Sequence, residues 1–409
     1  MRNVIFVAPF FAETTLRFLD AVAALPGVRT GLVSQDPLDR VPEGLRARLD
    51  AHYRVSDGLV ASSILEGVDA IRGRWGSLDR VVGALEELQV PLAEIRDHLE
   101  LPGMRAEAAR NFRDKARMKE VLRAAGLPCA RHGLAHTADQ AREEARHLGF
   151  PLIVKPPAGS GARSTFRIET PTDLDACLRA MPPSPERPAL LEEFVVGEEH
   201  SFDSVAVGGH IVWHSINHYL PSPLEVLREP WIQWSVLLPR EVDDARYDGI
   251  RQVAGGALAA LGMDTGMSHM EWFRRPDGSV AISEVGARPP GARFVNLISH
   301  AHDFDLFAAW ARLVVFGQFQ PPERKYAAGV AYLRAQGSGV RIARVRGLDR
   351  IQDAIGPIIR EARLPQPGQK ASGTYEGEGY ILVRHPETQV VKDALSRIIS
   401  QVRVEVEAA

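Results

Sequence analysis

The stretch MSHMEWFRRPDGSVAISEVGARPPG, residues 267–291, carries two glutamates, Glu271 and Glu284, on either side of Asp277-Gly278. Asp-Gly between alternating apolar runs is a strong β-hairpin signal. A two-residue turn at Asp277-Gly278 pairs Pro276 with Ser279 and Arg275 with Val280. Continued outward, that register sets Glu271 opposite Glu284, and His269 opposite Gly286 on the same face. Opposed side chains stand about 4.5–5.5 Å apart at Cβ, where like charges destabilise a sheet. Two carboxylates held face to face therefore point to a bound cation. Hard oxygen ligands suit magnesium, completed by phosphate oxygens and water. The competing meaning is a pair of solvated glutamates on a surface hairpin.

The rest of the composition sets bounds. A chain of 409 residues has room for two or three domains. Its apolar fraction of 45% and charged fraction of 25% are those of an ordinary globular protein. The net charge of -3, with Lys and Arg spread throughout, gives no nucleic-acid surface. Cys129 and Cys177 lack CxxC spacing, which fits a reducing compartment and excludes a four-cysteine zinc site. No run approaches the roughly 18–20 apolar residues needed to span a bilayer. The opening MRNVIFVAPFFAE reads as a strand rather than a signal peptide. The expectation is a cytoplasmic protein.

The first third reads as α/β. Val4–Ala8 is a continuous apolar run, as in a buried parallel strand. A helix over about 14–25, a strand over 29–34 and a helical segment over 78–101 follow. No GxGxxG follows the first strand, which argues against a dinucleotide-binding dehydrogenase. Asn111 is expected to cap a helix that carries Lys115 in its first turn and ends at Gly126. A second helix is expected over 138–148, then a short buried strand, 152–154, that delivers Lys155 at its end. Further strands are expected at 189–195 and 201–207, and helices at 250–261 and 304–315. Past Pro321-Pro322 the spacing gives strands at 327–333 and 380–383 and a helix at 390–399.

Three further clusters carry chemistry. The loop PPAGSGARST, 156–165, follows Lys155 directly; its glycines, Gly159 and Gly161, let amide groups approach an anion, and Ser160 and Arg163 add donors. It equally reads as a surface turn, and it is not a Walker A motif. The run LLEEFVVGEEHSFD, 190–203, offers Glu192, Glu193, the backbone to Val195, and Glu199 as a slot for a base and its ribose hydroxyls, or simply a strand with solvated glutamates. Arg288 and Arg293 follow the hairpin, and arginine forks onto phosphate or carboxylate. Trp231 and Trp234 suggest an aromatic pocket wall or ordinary core packing.

Taken in order, these pieces resemble the ATP-grasp superfamily, over roughly 1–325. The nearest pattern is the L-amino-acid (dipeptide) ligase type of carboxylate–amine ligase, with its HxE strand and Glu-x-Gly-x-Arg stretch. The resemblance implies an α/β (α+β) fold: a parallel pre-ATP-grasp domain over 1–110, an ATP-grasp domain over 111–325 (smaller lobe about 111–197, larger lobe about 198–325), and a small C-terminal lobe over 326–409. It implies ATP with Mg2+ (Mn2+ as substitute). Lys115, Lys155 and the Gly159–Ser160–Gly161 loop fall to the phosphates, Glu192, Glu193 and Val195 to adenine, and Glu199 to ribose. Glu271 and Glu284 fall to the metal, and Arg288, with Lys155, to the transferred phosphoryl group. His269, Arg293 and Trp234 are the substrate-binding candidates.

The implied reaction is ADP-forming ligation of a small-molecule carboxylate and an amine through an acyl phosphate, by a homodimer that needs no nucleic acid or membrane. Gly286 stands where many family members place an Asn ligand, which bears on a second magnesium. A bicarbonate-using carboxylase of the biotin-carboxylase or purine-biosynthesis type, and a nucleotide-binding regulator without turnover, are the alternatives.

Overall fold

The computed structural model describes residues 1–159, 164–229, 232–337 and 339–407. Ser160, Gly161, Arg163 and Trp231 lie outside the described residues. The apolar opening forms strand Arg2–Val7, paired in parallel with Val28–Ser34 and Arg80–Val82, while Ala51–Arg54 extends the sheet beyond Val28–Ser34. Both faces are covered, which is why the strand shows no alternation. Val4 and Phe6 pack toward helices Glu13–Ala23 and Leu306–Phe316, and Ile5 and Val7 toward Ala61–Trp75 and Gln89–His98. Each such buried side chain contributes roughly 1.5–3 kcal/mol. The helical spacing expected over 78–101 is divided: β-branched Val81 and Val82 enter the sheet, and the helix begins only at Gln89.

A four-stranded antiparallel sheet follows, in the order His132–Ala135, Ala189–Glu193, Leu152–Lys155, Phe166–Ile168. Helices Ala138–Leu148 and Pro171–Ala180 back it. The helix that carries Lys115 runs Lys115–Ala124, and its cap is Asp114, not Asn111. Asp114 has extended backbone and accepts from the Ala116 and Arg117 amides. Asn111 belongs to the preceding helix, Ala106–Arg113, and donates to the Leu261 carbonyl.

The largest sheet has eight antiparallel strands. Its order is Val280–Gly286, Gly266–Arg274, Glu198–Val207, His210–Leu220, Ser235–Leu238, Ala327–Leu333, Gly379–His385, Ile359–Arg363. Chain from beyond residue 326 thus continues the sheet that begins with the glutamate hairpin. Strand His210–Leu220 is hidden in the sequence because polar residues are buried among both of its alternating sets. Ser215 and Asn217 lie in one and the half-buried His214 and His218 in the other, so no period of two emerges.

The hairpin differs from the two-residue turn expected of it. Arg275 N–H donates to Ser279 O, Gly278 N–H donates to Arg275 O, and Gly278 takes φ +81°, so the loop spans Pro276 to Gly278. That is the three-residue loop in which glycine closes the turn left-handed. The ladder therefore starts one residue out of the expected register, with Arg274 opposite Val280 and Trp272 opposite Ile282. A β-bulge at Ser283 then absorbs one residue and restores Glu271 opposite Glu284 and His269 opposite Gly286.

Candidate active site

A cavity of about 560 Å³ lies between the small sheet, the hairpin side of the large sheet and the start of helix Lys115–Ala124. Lys115, Lys155, Gly159, Glu192, Glu193, Val195, Glu199, Trp234, His269, Glu271, Glu284 and Arg288 all border it. The structure therefore gathers on one cavity residues that lie as much as 173 positions apart in the sequence. Arg293 is not among the lining residues. Its guanidinium forks onto Glu13, at 2.8 and 2.7 Å, and lies over the Tyr380 ring.

The two lysines reach the cavity from different elements. Lys115 Nζ sits 2.8 Å from Glu284 Oε1 and donates to Gly159 O at 2.9 Å. Lys155, at the end of its buried strand, sits 3.0 Å from Glu192 Oε2. Glu192 is 4% exposed, and its other oxygen lies 3.4 Å from Lys119, which is fully buried. Burial opposes ionisation of Glu192, but Lys119 and Lys155 outweigh it and hold the carboxyl below its ordinary range. Burial likewise opposes the Lys155 charge, and Glu192 and Glu284 outweigh it, so Lys155 stays an ammonium. Glu192 thus stands as the shared anion behind two cations, Lys119 and Lys155.

Glu193 turns elsewhere, pairing with Arg131 at 2.7 Å and Arg275 at 3.2 Å. The backbone from Glu193 through Val195 to Gly197 edges the cavity. Glu199 lies beside Glu271, and burial first, then the Glu271 charge, pushes its carboxyl well above the ordinary range. Glu284 moves the other way: burial raises it, but Lys115 and Lys155 lower it more.

Whether this wall suits a divalent cation is decided by that imbalance. Three carboxylates, Glu199, Glu271 and Glu284, share one wall, and lysine neutralises chiefly Glu284. Among the described residues no group of three His, Cys, Asp or Glu side chains forms a ready-made cage. A hard cation held by two glutamates and completed by phosphate and water needs no such cage.

Several residues escaped the sequence reading. Glu86, from the N-terminal segment, accepts Arg288 Nε at 2.9 Å and Nη2 at 2.6 Å on one oxygen. Its other oxygen takes Arg113 at 3.3 Å. Burial opposes the Arg288 charge, but Glu86 outweighs it and keeps the guanidinium protonated. Asp203, fully buried, holds His269 Nδ1 at 2.6 Å and accepts from Asn217. Burial works against the His269 imidazolium, yet Asp203 outweighs it and, with Glu271, pushes it up to about 9. Lys119 carried one available signal: it stands four residues after Lys115 on the same helix face, a like-charge pair that mirrors the glutamates. Trp234 is buried, stacked on Tyr332 at 4.7 Å and edge-on to Tyr375, so it serves the core as well as the cavity.

The fold has counterparts among solved structures. The chain aligns with the crystal structure of L-amino acid ligase from Bacillus licheniformis over 100% of its own length and 99% of that chain, with a TM-score of 0.78 at 18% identity. It aligns with the biotin carboxylase domain of Hydrogenobacter thermophilus 2-oxoglutarate carboxylase, a complex with MgADP, ADP and bicarbonate, over 98% of its length and 90% of that chain, with a TM-score of 0.68 at 15% identity. The chain has the ATP-grasp fold.

Relatives found by sequence agree with the ATP-grasp assignment. The L-arginine-specific L-amino acid ligase of Bacillus subtilis is 23% identical over 270 residues, 65% of this chain and 64% of that protein. The carbamoyl phosphate synthase large chain of Methanothermobacter thermautotrophicus is 25% identical over 233 residues, 56% of this chain. The match spans about a fifth (21%) of that synthase's length. No family model matches the chain. Among the described residues no helix is long and apolar enough to cross a membrane.

Proposed function

We propose that this ATP-grasp chain is an ADP-forming carboxylate–amine ligase acting on amino acids or similar small carboxylic acids. One observation carries the reading: facing glutamates, Glu271 and Glu284, share a cavity with Lys115, Lys155 and Arg288, three cations placed to meet a nucleotide's phosphates. Phosphoryl transfer asks a protein mostly for positioning and charge neutralisation, which is what this residue set provides.

In this reading Glu271 and Glu284 would hold Mg2+, or Mn2+ in its place, which when bound neutralises phosphate oxygens. The backbone from Glu193 to Val195 receives the base, and Glu199 the ribose. Lys115 and Lys155 hold the phosphates, with Gly159 beside Lys115. A carboxylate oxygen of the first substrate attacks the γ-phosphorus; the O–P bond forms as the bond to the β-phosphate oxygen breaks and ADP leaves. Arg288 balances the charge on the transferred group, steadied by Glu86. The amine of the second substrate then attacks the acyl carbon, phosphate departs with the bonding pair, and the nitrogen loses a proton. No side-chain nucleophile is required. His269, charged and fixed by Asp203, faces the cavity where a substrate carboxylate would lie, and Trp234 backs the apolar side.

The names of the relatives support this reading: an L-amino acid ligase stands among both the solved structures and the sequence matches. The test is phosphate release from ATP with pools of single and paired amino acids. Release only when a carboxylate donor and an amine acceptor are both present supports ligation. Release driven by bicarbonate alone replaces it with a carboxylase, and Mg-ATP binding with no release in any pool replaces it with a nucleotide-binding regulator.

A further inference from the structure

A second cavity, of about 400 Å³, is bordered by the loop after strand Ser235–Leu238 and by the start of helix Thr388–Gln401. Its size is within the range of pockets that take small metabolites. Among the described residues, His218 alone borders both this cavity and the nucleotide cleft. Its Nε2 is 2.6 Å from Tyr247 Oη, and its ring packs edge-on against His200, the neighbour of Glu199. One imidazole therefore touches both spaces.

The charges around the second cavity are unequal in their availability. Arg240, Arg246 and Lys392 converge on it. Of the carboxylates, Glu241 already accepts the Thr388 hydroxyl at 2.5 Å, and Glu387 stands at the rim beside Pro386. Among the described residues Lys392 has no hydrogen-bonded or ion-paired partner. Arg246 is shared with Asp244 at 3.0 Å, and the Arg240 guanidinium makes only a long contact, 3.5 Å, to the Pro386 carbonyl. Leu237 and Pro239 supply an apolar wall. Burial chiefly, then His200, Lys392 and Arg246, drives His218 down to about 3, so the ring is neutral.

We propose that this cavity is a second binding site, for a small organic anion whose carboxylate or phosphate group is taken by Lys392 and Arg240 and whose carbon skeleton lies on Leu237 and Pro239. Charge-assisted contacts to ammonium and guanidinium groups fit either anion.

The test is calorimetric titration of the full-length protein, with its cleft saturated by a non-hydrolysable ATP analogue and Mg2+, using succinate in one arm and glycerol 3-phosphate in the other. The expected result is one saturable site for at least one probe, weakened about tenfold or more when Lys392→Gln and Arg240→Gln are combined. The unfolding temperature and analogue affinity of that neutral variant should match the parent, which excludes misfolding as the cause. Selective loss of one arm tells carboxylate from phosphate. No saturable binding of either probe, or binding that the paired substitution leaves unchanged, overturns the proposal. The result is independent of whether ligase activity is found, because binding is read directly.

Discussion

Lys115 Nζ lies 2.8 Å from Glu284 Oε1, while Glu271, directly across the strand pair from Glu284, lies beside the protonation-prone Glu199. The facing glutamates are therefore not equivalent. One enters the cavity already balanced by an ammonium, and the other is shared between the His269 imidazolium, 3.6 Å away, and the neighbouring Glu199 carboxyl. Glu284→Ala should lower ATP turnover by roughly 10²–10³ and leave Lys115 without its carboxylate. Steady-state phosphate release, with circular dichroism as the fold control, checks it; near-normal turnover would refute the metal assignment.

Arg288 depends on Glu86, a residue 202 positions away in the sequence. Glu86→Gln should reduce kcat by about ten- to a hundredfold with little change in the KM for ATP, since the base and ribose contacts lie elsewhere. Glu86→Asp should recover part of the loss. A matched rise in KM with kcat intact would mean that Glu86 serves binding instead.

Glu192 is the shared anion for Lys119 and Lys155 inside the protein. Glu192→Gln leaves two buried ammonium groups without their carboxylate. The expected cost is about 3–5 kcal/mol of unfolding free energy, read from urea denaturation. A loss below 1 kcal/mol would show that water or another anion takes its place.

Two buried histidines, His200 and His302, and the half-buried His218 should make the fold acid-sensitive. Burial chiefly lowers His200 to about 4 and His218 and His302 to about 3. The unfolded chain, with histidine near its ordinary value of about 6.5, binds more protons than the folded one throughout that interval. Stability is therefore full above about 6.5 and falls as pH drops toward 3–4. Melting temperatures from pH 7.5 to 4 should decline, and His302→Phe should flatten the slope. A flat profile in the parent would rule out the buried-neutral assignment.

Much of this architecture is written locally. Helix Ala138–Leu148 and strand Ala327–Leu333 fall where the sequence places them, because the helix buries one apolar stripe and the strand is a short run buried on both faces. The glutamate pairing is a subtler case. The two-residue turn expected at Asp277-Gly278 is one residue too short, and the omitted bulge at Ser283 is one residue the other way, so two departures cancel. The residues that stayed hidden share a different cause. Glu86 sits in a run, LEEL, that reads as a solvated helix face, and Asp203 sits in a mixed strand run, HSFDSV; each gains meaning only from a partner brought near by folding. Helix Phe294–His302 starts after Arg293 in a left-handed conformation, without a side-chain cap, so no start signal marks it.

Strand Ser235–Leu238 meets His210–Leu220 along only three residue pairs and is bonded along its whole length by Ala327–Leu333. Cutting the chain before residue 327 would strip that flank, leaving amide and carbonyl groups bare beside apolar Val236 and Leu238. Such a rim invites neighbouring molecules to add strands of their own. The closing stretch of the polypeptide is thus a guard against self-association as well as a neighbour of the catalytic half, and shortened versions should precipitate before they lose the nucleotide.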